Sequence, residues 1–242
     1  AAKDRGHEGK YLLAMVNFTG NPILTTLKNR ELRKKIMDAS LVKGNRNNEK
    51  DTKALLLQMV KLRARRAKLF GVSSHAEYVI HEQTAGSPAN VHKVLREIAP
   101  AAVKNARAEG KQLQEAIISD GHEFELASWD WAMYSEKVRL AKHNVDTAAM
   151  RPYFELERVL HDGVFFAATK LFGITFQERK DLVTYHPEAR AFEVKNEDGS
   201  PLGLYIGDFF TRDSKRGGAW MNSLVEQNFL FEQLPVVVNN LN

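Results

Sequence analysis

Apolar residues recur at the spacing of an amphipathic helix along most of the chain up to about residue 182. This pattern predicts helices over residues 29–42, from 51 or 52 to 70, from 87 to 120, from 128 to 140 and from 152 to 172. Ser87 followed by Pro88 is a typical start, because serine caps the first turn and proline suits the first helical position. Gly71, Gly121 and Gly173 are typical stops. We therefore expect a body built of several helices.

Two sets of apolar residues in this body lead to more specific predictions. The short run Tyr11–Val16 is typical of a buried strand. In the second predicted helix, which Asp51 or Thr52 caps, the apolar spacing predicts one amphipathic side. That side comprises Leu55, Met59, Leu62 and Leu69.

After about residue 183 the apolar period changes from 3.6 to 2, which is typical of strands. The predicted strands are residues 191–195, 202–210, 219–221 and 235–239, separated by turn clusters at 196–201 and 211–218. The fold class expected is therefore mainly α: a multi-helix body over residues 1–182, followed by a small antiparallel β-sheet over residues 183–242.

Composition narrows the function classes. The 242 residues include no cysteine, so disulfides and thiolate metal ligands are excluded. No uncharged apolar run is long enough to span a bilayer, so we expect no membrane partner. The net charge is +5, but basic and acidic residues are interspersed, and the basic run from Lys61 to Lys68 lacks the aromatic residues of a stacking surface. We therefore expect no nucleic-acid partner, and a cytoplasmic location with the periplasm as alternative.

The histidines do not form a metal motif. A zincin helix needs His-Glu-x-x-His, which places both histidines on one helix face. His81-Glu82 is followed by Ala85, and His122-Glu123 by Leu126, at the position of the second histidine. We therefore predict that none of the eight histidines binds a metal ion.

Several segments resemble motifs of the thimet-oligopeptidase-like zinc peptidases, family M3, and do so in order along the chain. These segments are Asn29–Arg33, Leu126–Tyr134, Met150–Leu156, Leu171–Phe176 and Tyr185–Arg190. The stretch Gly207–Met221 reads G-D-F-F-T-R-D-S-K-R-G-G-A-W-M and resembles the dipeptidyl carboxypeptidase branch of that family.

This resemblance implies a zincin-like, neurolysin-type enzyme that releases dipeptides from the free C-terminus of short peptides. In that family a zinc-binding helix with H-E-F-G-H follows the sheet, whereas the present chain ends at Asn242 without such a motif. We therefore expect no catalytic and no metal-binding residue in this chain, and zinc only in a longer parent protein. The expected partners are a short peptide substrate and the remainder of the same polypeptide, which carries the zinc site.

The resemblance also points to Gly217, Gly218, Ala219 and Trp220 as a substrate-binding sheet edge. Zincins commonly add an extended substrate to a sheet edge, where main-chain hydrogen bonds fix the scissile bond. Glycine lets a second backbone approach closely, and a small alanine leaves room above the strand. A plain hairpin that needs its glycines for turn geometry is the alternative.

Charged residues of the same turn are open to two interpretations. Arg212, Lys215 and Arg216 either attract the substrate carboxylate or are solvated turn charges. Residues 214–218 also resemble a phosphate-binding nest, but the Walker spacing is missing and a hairpin turn explains the glycines.

The function expected is therefore that of a portion of a zinc metallopeptidase, forming a channel wall and a substrate-binding sheet edge. This chain alone is expected to be inactive. The alternative is a non-catalytic peptide-binding helical module, and a basic nucleic-acid binder is the third hypothesis.

Overall fold

The computed structural model describes residues 2–13, 15, 22–144 and 147–241, without the side chains of residues 147 and 148. The chain divides into two compact units. The first, called here the helical unit, comprises residues 21–145, and the second, called the sheet unit, comprises residues 1–20 and 146–242. The boundary expected between residues 182 and 183 stays a prediction.

The helical unit contains the first four helices that the sequence predicts. Its elements are a 3-10 turn (Pro22–Thr25), α1 (Arg30–Leu41), α2 (Lys53–Leu69), α3 (His75–Ile80), α4 (Pro88–Ser119) and α5 (Ser128–His143). The predicted cap of α4 is confirmed, since the Ser87 side chain accepts a hydrogen bond of 3.2 Å from the Asn90 amide. The core of the unit is the contact between α4 and α5, where Leu113, Ile117 and Tyr134 are buried.

The amphipathic side predicted for α2 is not covered by the described residues of the chain. Leu55 is 65% exposed and Leu69 79% exposed, and Met59 and Leu62 are exposed as well. Ala67 is the buried residue of this helix. The expected cap is not formed by Thr52, the residue before the helix, whose side chain makes no capping hydrogen bond. Asp51 Oδ1, one residue earlier, accepts a hydrogen bond of 3.0 Å from the Lys53 amide.

The described helical elements of the sheet unit are all short. They are 3-10 turns at Lys3–Arg5 and Arg151–Phe154, α6 (Thr147–Met150), α7 (Leu156–Arg158), a π-helical segment (Val159–Phe165) and α8 (Phe166–Phe172). The prediction of one helix from residue 152 was wrong at its start. Glu155 has an extended backbone, and its carboxylate caps α7 by accepting hydrogen bonds from the amides of Glu157 and Arg158. The predicted stop at Gly173 is confirmed by its φ of 72°.

The sheet has five strands in the order β1-β2-β3-β5-β4. The strands are β1 (Thr175–Glu178), β2 (Arg190–Lys195), β3 (Pro201–Asp208), β4 (Trp220–Val225) and β5 (Val236–Asn240). The mainly α fold class with a small sheet is confirmed, although the sheet begins earlier than the pattern predicted. The expectation of an antiparallel sheet was wrong for one pair, since β3 and β5 run parallel.

The parallel pair requires close backbone contact. A Cβ atom at Gly203 would lie 2.7 Å from the carbonyl oxygen of Pro235, so glycine is the residue that fits there. One face of the sheet packs on the π-helical segment, with Leu160, Phe165 and Phe192 buried together. Phe165 also stacks on Phe176, with 4.0 Å between the ring centroids.

The strand predicted over Tyr11–Val16 is absent from the part of that run that the structure describes. Residues 11–13 and 15 have no regular structure, Tyr11 is exposed, and residues 14 and 16 lie outside the described residues. Within the described ranges, every helix is too short or too polar to cross a bilayer.

Candidate functional site

The strand order of the sheet places one loop in an unusual position. β3 ends at Asp208 and β4 begins at Trp220, but β5 lies between these two strands. Residues 209–219, called here the crossover loop, must therefore pass the end of β5. At that end Asp208, Asn240 and Trp220 lie side by side in register across the three strands.

The carboxylate of Asp208 is fully buried at this end of the sheet. The Arg212 guanidinium donates to both of its oxygens, each at 2.8 Å. Lys215 Nζ lies 2.8 Å from Oδ1. The Tyr185 hydroxyl donates to Oδ2 at 2.8 Å, and the Asn240 side-chain amide donates to the same oxygen at 3.3 Å. A buried charge is thus compensated by two cations and two neutral donors.

These contacts determine the ionisation of the cluster. Burial alone would raise the pKa of Asp208, but the hydrogen bonds from Arg212, Lys215 and Tyr185 outweigh it and hold the pKa well below its ordinary value of 3.8. The pKa of Tyr185 is raised, first by burial and then by its hydrogen bond to the Asp208 carboxylate. At neutral pH the cluster therefore contains an ionised aspartate and a neutral tyrosine.

Two of the turn cations are not solvated. Lys215 is 7% exposed, and the side chain of Arg212 is 18% exposed. Both hold Asp208, which corrects the expectation of solvated turn charges and leaves neither directed at a substrate carboxylate. Arg216 is exposed. Sequence patterns place charged residues of a glycine-rich turn in solvent, whereas here the turn folds back over the end of the sheet.

The four predicted site residues come directly after Arg212 and Lys215 in the sequence. Gly217, Gly218 and Ala219 are the last residues of the crossover loop, and Trp220 is the first residue of β4. All four are exposed. Gly218 has φ +103°, a conformation that other residues rarely adopt, so the turn itself accounts for one of the two glycines. The alternative of a plain hairpin is wrong, because β5 lies between β3 and β4, but turn geometry still requires a glycine at position 218.

β4 is an edge strand with exposed side chains. It is the last strand in the order of the sheet and pairs with β5 on one side. Its first five residues are exposed, and Met221 and Leu224 project more than half of their surface to solvent. An edge of this kind presents main-chain donors and acceptors to which an extended peptide can pair.

The other candidate sites of the sequence are not supported by geometry. His81 follows α3 and is exposed, and His122 is exposed beside Phe124, with 5.2 Å between the two rings. The turn that resembles a phosphate nest is closed by a hydrogen bond of 3.0 Å from the Lys215 amide to the Arg212 carbonyl, as in an ordinary turn.

Comparison with known proteins matches residues 23–242 to the description "Peptidase family M3". The chain is 40% identical over 242 residues to the dipeptidyl carboxypeptidase of Escherichia coli, covering 100% of this chain and 36% of that protein. It is 30% identical over 230 residues to oligopeptidase A of Salmonella typhimurium, covering 93% of this chain and 34% of that protein. A match of this extent decides the family.

The chain belongs to peptidase family M3. It spans about a third of the length of the curated relatives that it matches. The resemblance found in the motifs is confirmed, and the match includes both the α1–α5 region and the crossover loop.

Members of peptidase family M3 are zinc-dependent in general, so we tested the fit of this chain to zinc. No His-Glu-x-x-His occurs in its sequence. Among the described residues, no three His, Asp or Glu side chains lie together in a way that would hold a metal ion. The donor set present in these residues therefore does not fit a zinc centre.

The sequence pattern missed most of the Asp208 cluster. Asp208 and Tyr185 were part of M3-like motifs, but Asn240 belonged to none of them. A usable signal was present: an aspartate that ends a long apolar run, followed by Arg212 and Lys215 in one short turn. Such an aspartate is often buried, and it then requires cations to compensate its charge.

Proposed function

We propose that this chain is the peptide-binding portion of an M3 zinc metallopeptidase that removes C-terminal dipeptides from short peptides. In this proposal the metal is held by the remainder of the same polypeptide, and the present chain forms part of the channel wall. The 40% identity to a dipeptidyl carboxypeptidase supports the reaction class. The chain alone is then inactive.

The observation that carries the proposal is the exposed edge of β4 beside a loop that Arg212 and Lys215 attach to the buried Asp208. A substrate in extended conformation pairs with main-chain groups of β4, beginning near Ala219 and Trp220. Main-chain pairing is independent of side-chain identity, as a peptidase acting on varied peptides requires. The buried Asp208 cluster keeps the start of the edge in one conformation before the substrate arrives, which reduces the ordering that binding must enforce.

Substitution of Ala219 by leucine in the protein made from the full reading frame tests this proposal. Ala219 is exposed, so a larger side chain leaves the fold intact but occupies the space above the edge. We expect kcat/KM for dipeptide release to fall about tenfold or more, because displacing a bound peptide by about 1 Å is already costly. Initial rates with a short peptide of free C-terminus provide the measurement.

Ala167→Leu, an equal enlargement on the exposed surface of α8, is the matched control and should leave kcat/KM unchanged. An Ala219→Leu enzyme with wild-type kinetics would refute the binding edge. A full-length protein that binds peptides without cleaving them would instead support the non-catalytic module.

A further inference from the structure

The buried ammonium group of Lys215 donates hydrogen bonds to oxygen atoms of three different parts of the chain. Nζ donates to the carbonyl oxygens of Phe210 at 2.5 Å, Leu241 at 2.7 Å and Asp208 at 3.1 Å. It also lies 2.8 Å from the Asp208 carboxylate. An ammonium has three N–H donors, so this arrangement uses the full donor capacity of the side chain.

The positions of these acceptors connect the ends of two strands to the loop between them. Asp208 ends β3, Leu241 follows β5 and Phe210 lies in the crossover loop. The Leu241 amide donates to the Asp208 carbonyl at 2.8 Å, which closes the connection between β3 and β5. Lys215 thus lies where the crossover loop passes the end of β5.

The path of the crossover loop past the end of β5 determines where β4 can begin. Asn240 is the register partner of both Asp208 and Trp220, so the loop must deliver Trp220 to the far side of β5 at one position. Only residues 216–219 separate Lys215 from that position, which is too short a segment to absorb a displaced loop. The hydrogen bond from Lys215 to the Leu241 carbonyl therefore fixes the loop five residues before Trp220, the first residue of the exposed edge.

We propose that Lys215 is a positioning residue, which sets the start and the orientation of the β4 edge and thereby the alignment of a bound peptide. This inference rests on the proposed function. Lys215 is itself buried and does not contact the peptide. It acts through the backbone of residues 216–219, as a bound cation would if it were held by the same carbonyl oxygens.

The test uses the protein made from the full reading frame with Lys215→Met, which keeps a long side chain but removes charge and donors. Hydrogen exchange should accelerate at least tenfold for the amides of residues 219–223 and remain unchanged in α4 and α5. KM for a short peptide substrate should rise about tenfold, with a smaller change in kcat. A purely structural role would lower the active fraction and leave KM as it is.

Lys170→Met on the exposed surface of α8 is the matched control and should change neither measurement. If Lys215→Met does not fold, Lys215→Gln, which retains two donors, takes its place with the same expectations. Failure of both variants to fold would assign Lys215 to the stability of the whole unit and overturn the positioning role. Unchanged edge exchange with unchanged KM in a folded variant would overturn it as well.

The two proposals fail in different ways in this experiment. A wild-type full-length protein that neither binds nor cleaves peptides overturns the proposed function. The exchange rates of residues 219–223 would still show whether Lys215 holds the edge.

Discussion

At the scale of single residues, the stability of the sheet unit depends on the charge of Asp208. Its carboxylate is buried, and removing the charge deprives the buried Lys215 and the partly buried Arg212 of the ion pair with Asp208. Breaking a buried pair on one side costs about 3–5 kcal/mol, far more than breaking an exposed one. Substitution of Asp208, at the end of β3, should therefore matter for folding.

We expect Asp208→Asn to lower the unfolding free energy at pH 7 by about 3–5 kcal/mol. Hydrogen bonds from Arg212, Lys215 and Tyr185, acting against burial, lower the pKa of Asp208 in the folded chain. Its stabilisation is therefore complete above the ordinary pKa of 3.8 and is lost as pH falls through the folded value. The difference between wild type and variant should then shrink below about pH 4, and urea denaturation at pH 7 and pH 3 measures it.

Asp213 provides the control for this prediction. It lies in the crossover loop, its side chain is 65% exposed, and it pairs with Arg5 at 2.6 Å. Asp213→Asn should change stability much less, because exposed pairs are weak. A difference between wild type and Asp208→Asn that stayed constant between pH 7 and pH 3 would contradict the assignment of the charged state.

At the scale of elements, a buried arginine joins α1 to α5. Arg33 is 1% exposed and donates to Asp130 Oδ1 at 2.7 Å. It also donates to the carbonyl oxygens of Leu27 at 2.8 Å, Lys28 at 3.0 Å and Trp129 at 3.2 Å. The planar guanidinium thus connects the segment before α1 with the first turn of α5.

Lysine cannot reproduce this set of contacts, because it is a point donor and lacks the planar fork. We expect both Arg33→Met and Arg33→Lys to lower the unfolding free energy, the first by about 3–5 kcal/mol. Arg30→Met, which removes a half-exposed partner of the same aspartate, should cost less. If urea denaturation gave the Arg33→Lys variant the same unfolding free energy as wild type, charge alone would hold α1 and α5 together.

The elements also show which parts of the structure a sequence can predict. The start at Ser87 and the stop at Gly173 were predictable, because caps depend on a few neighbouring residues. The parallel pairing of β3 with β5 was not, since it depends on which strands meet in space. The same holds for Lys215, whose acceptor at Leu241 is distant in sequence. For α2 the periodicity predicted a helix, which the structure has, but the side predicted to be apolar is exposed and Ala67 is the buried residue.

At the scale of the whole molecule, the decisive property is the distribution of metal donors. The chain has eight histidines, but they are scattered, and the described residues bring no three metal-binding side chains together. Membership in peptidase family M3 implies zinc chemistry, and the chain covers 36% of the matched dipeptidyl carboxypeptidase. Binding surface and metal centre are thus proposed to be separate parts of one polypeptide.

This separation predicts different metal behaviour for two proteins. The chain of residues 1–242, after dialysis, should hold much less than one zinc per molecule and release no dipeptides, because its donors cannot complete a tetrahedral site. The protein made from the full reading frame should bind zinc, lose activity with a chelator and regain it when zinc is added. Metal analysis and peptide hydrolysis on both proteins provide the measurement. One tightly bound zinc in residues 1–242 would contradict the separation, because among the described residues no three metal-binding side chains lie together. Full activity of a confirmed metal-free full-length protein would contradict the zinc chemistry itself.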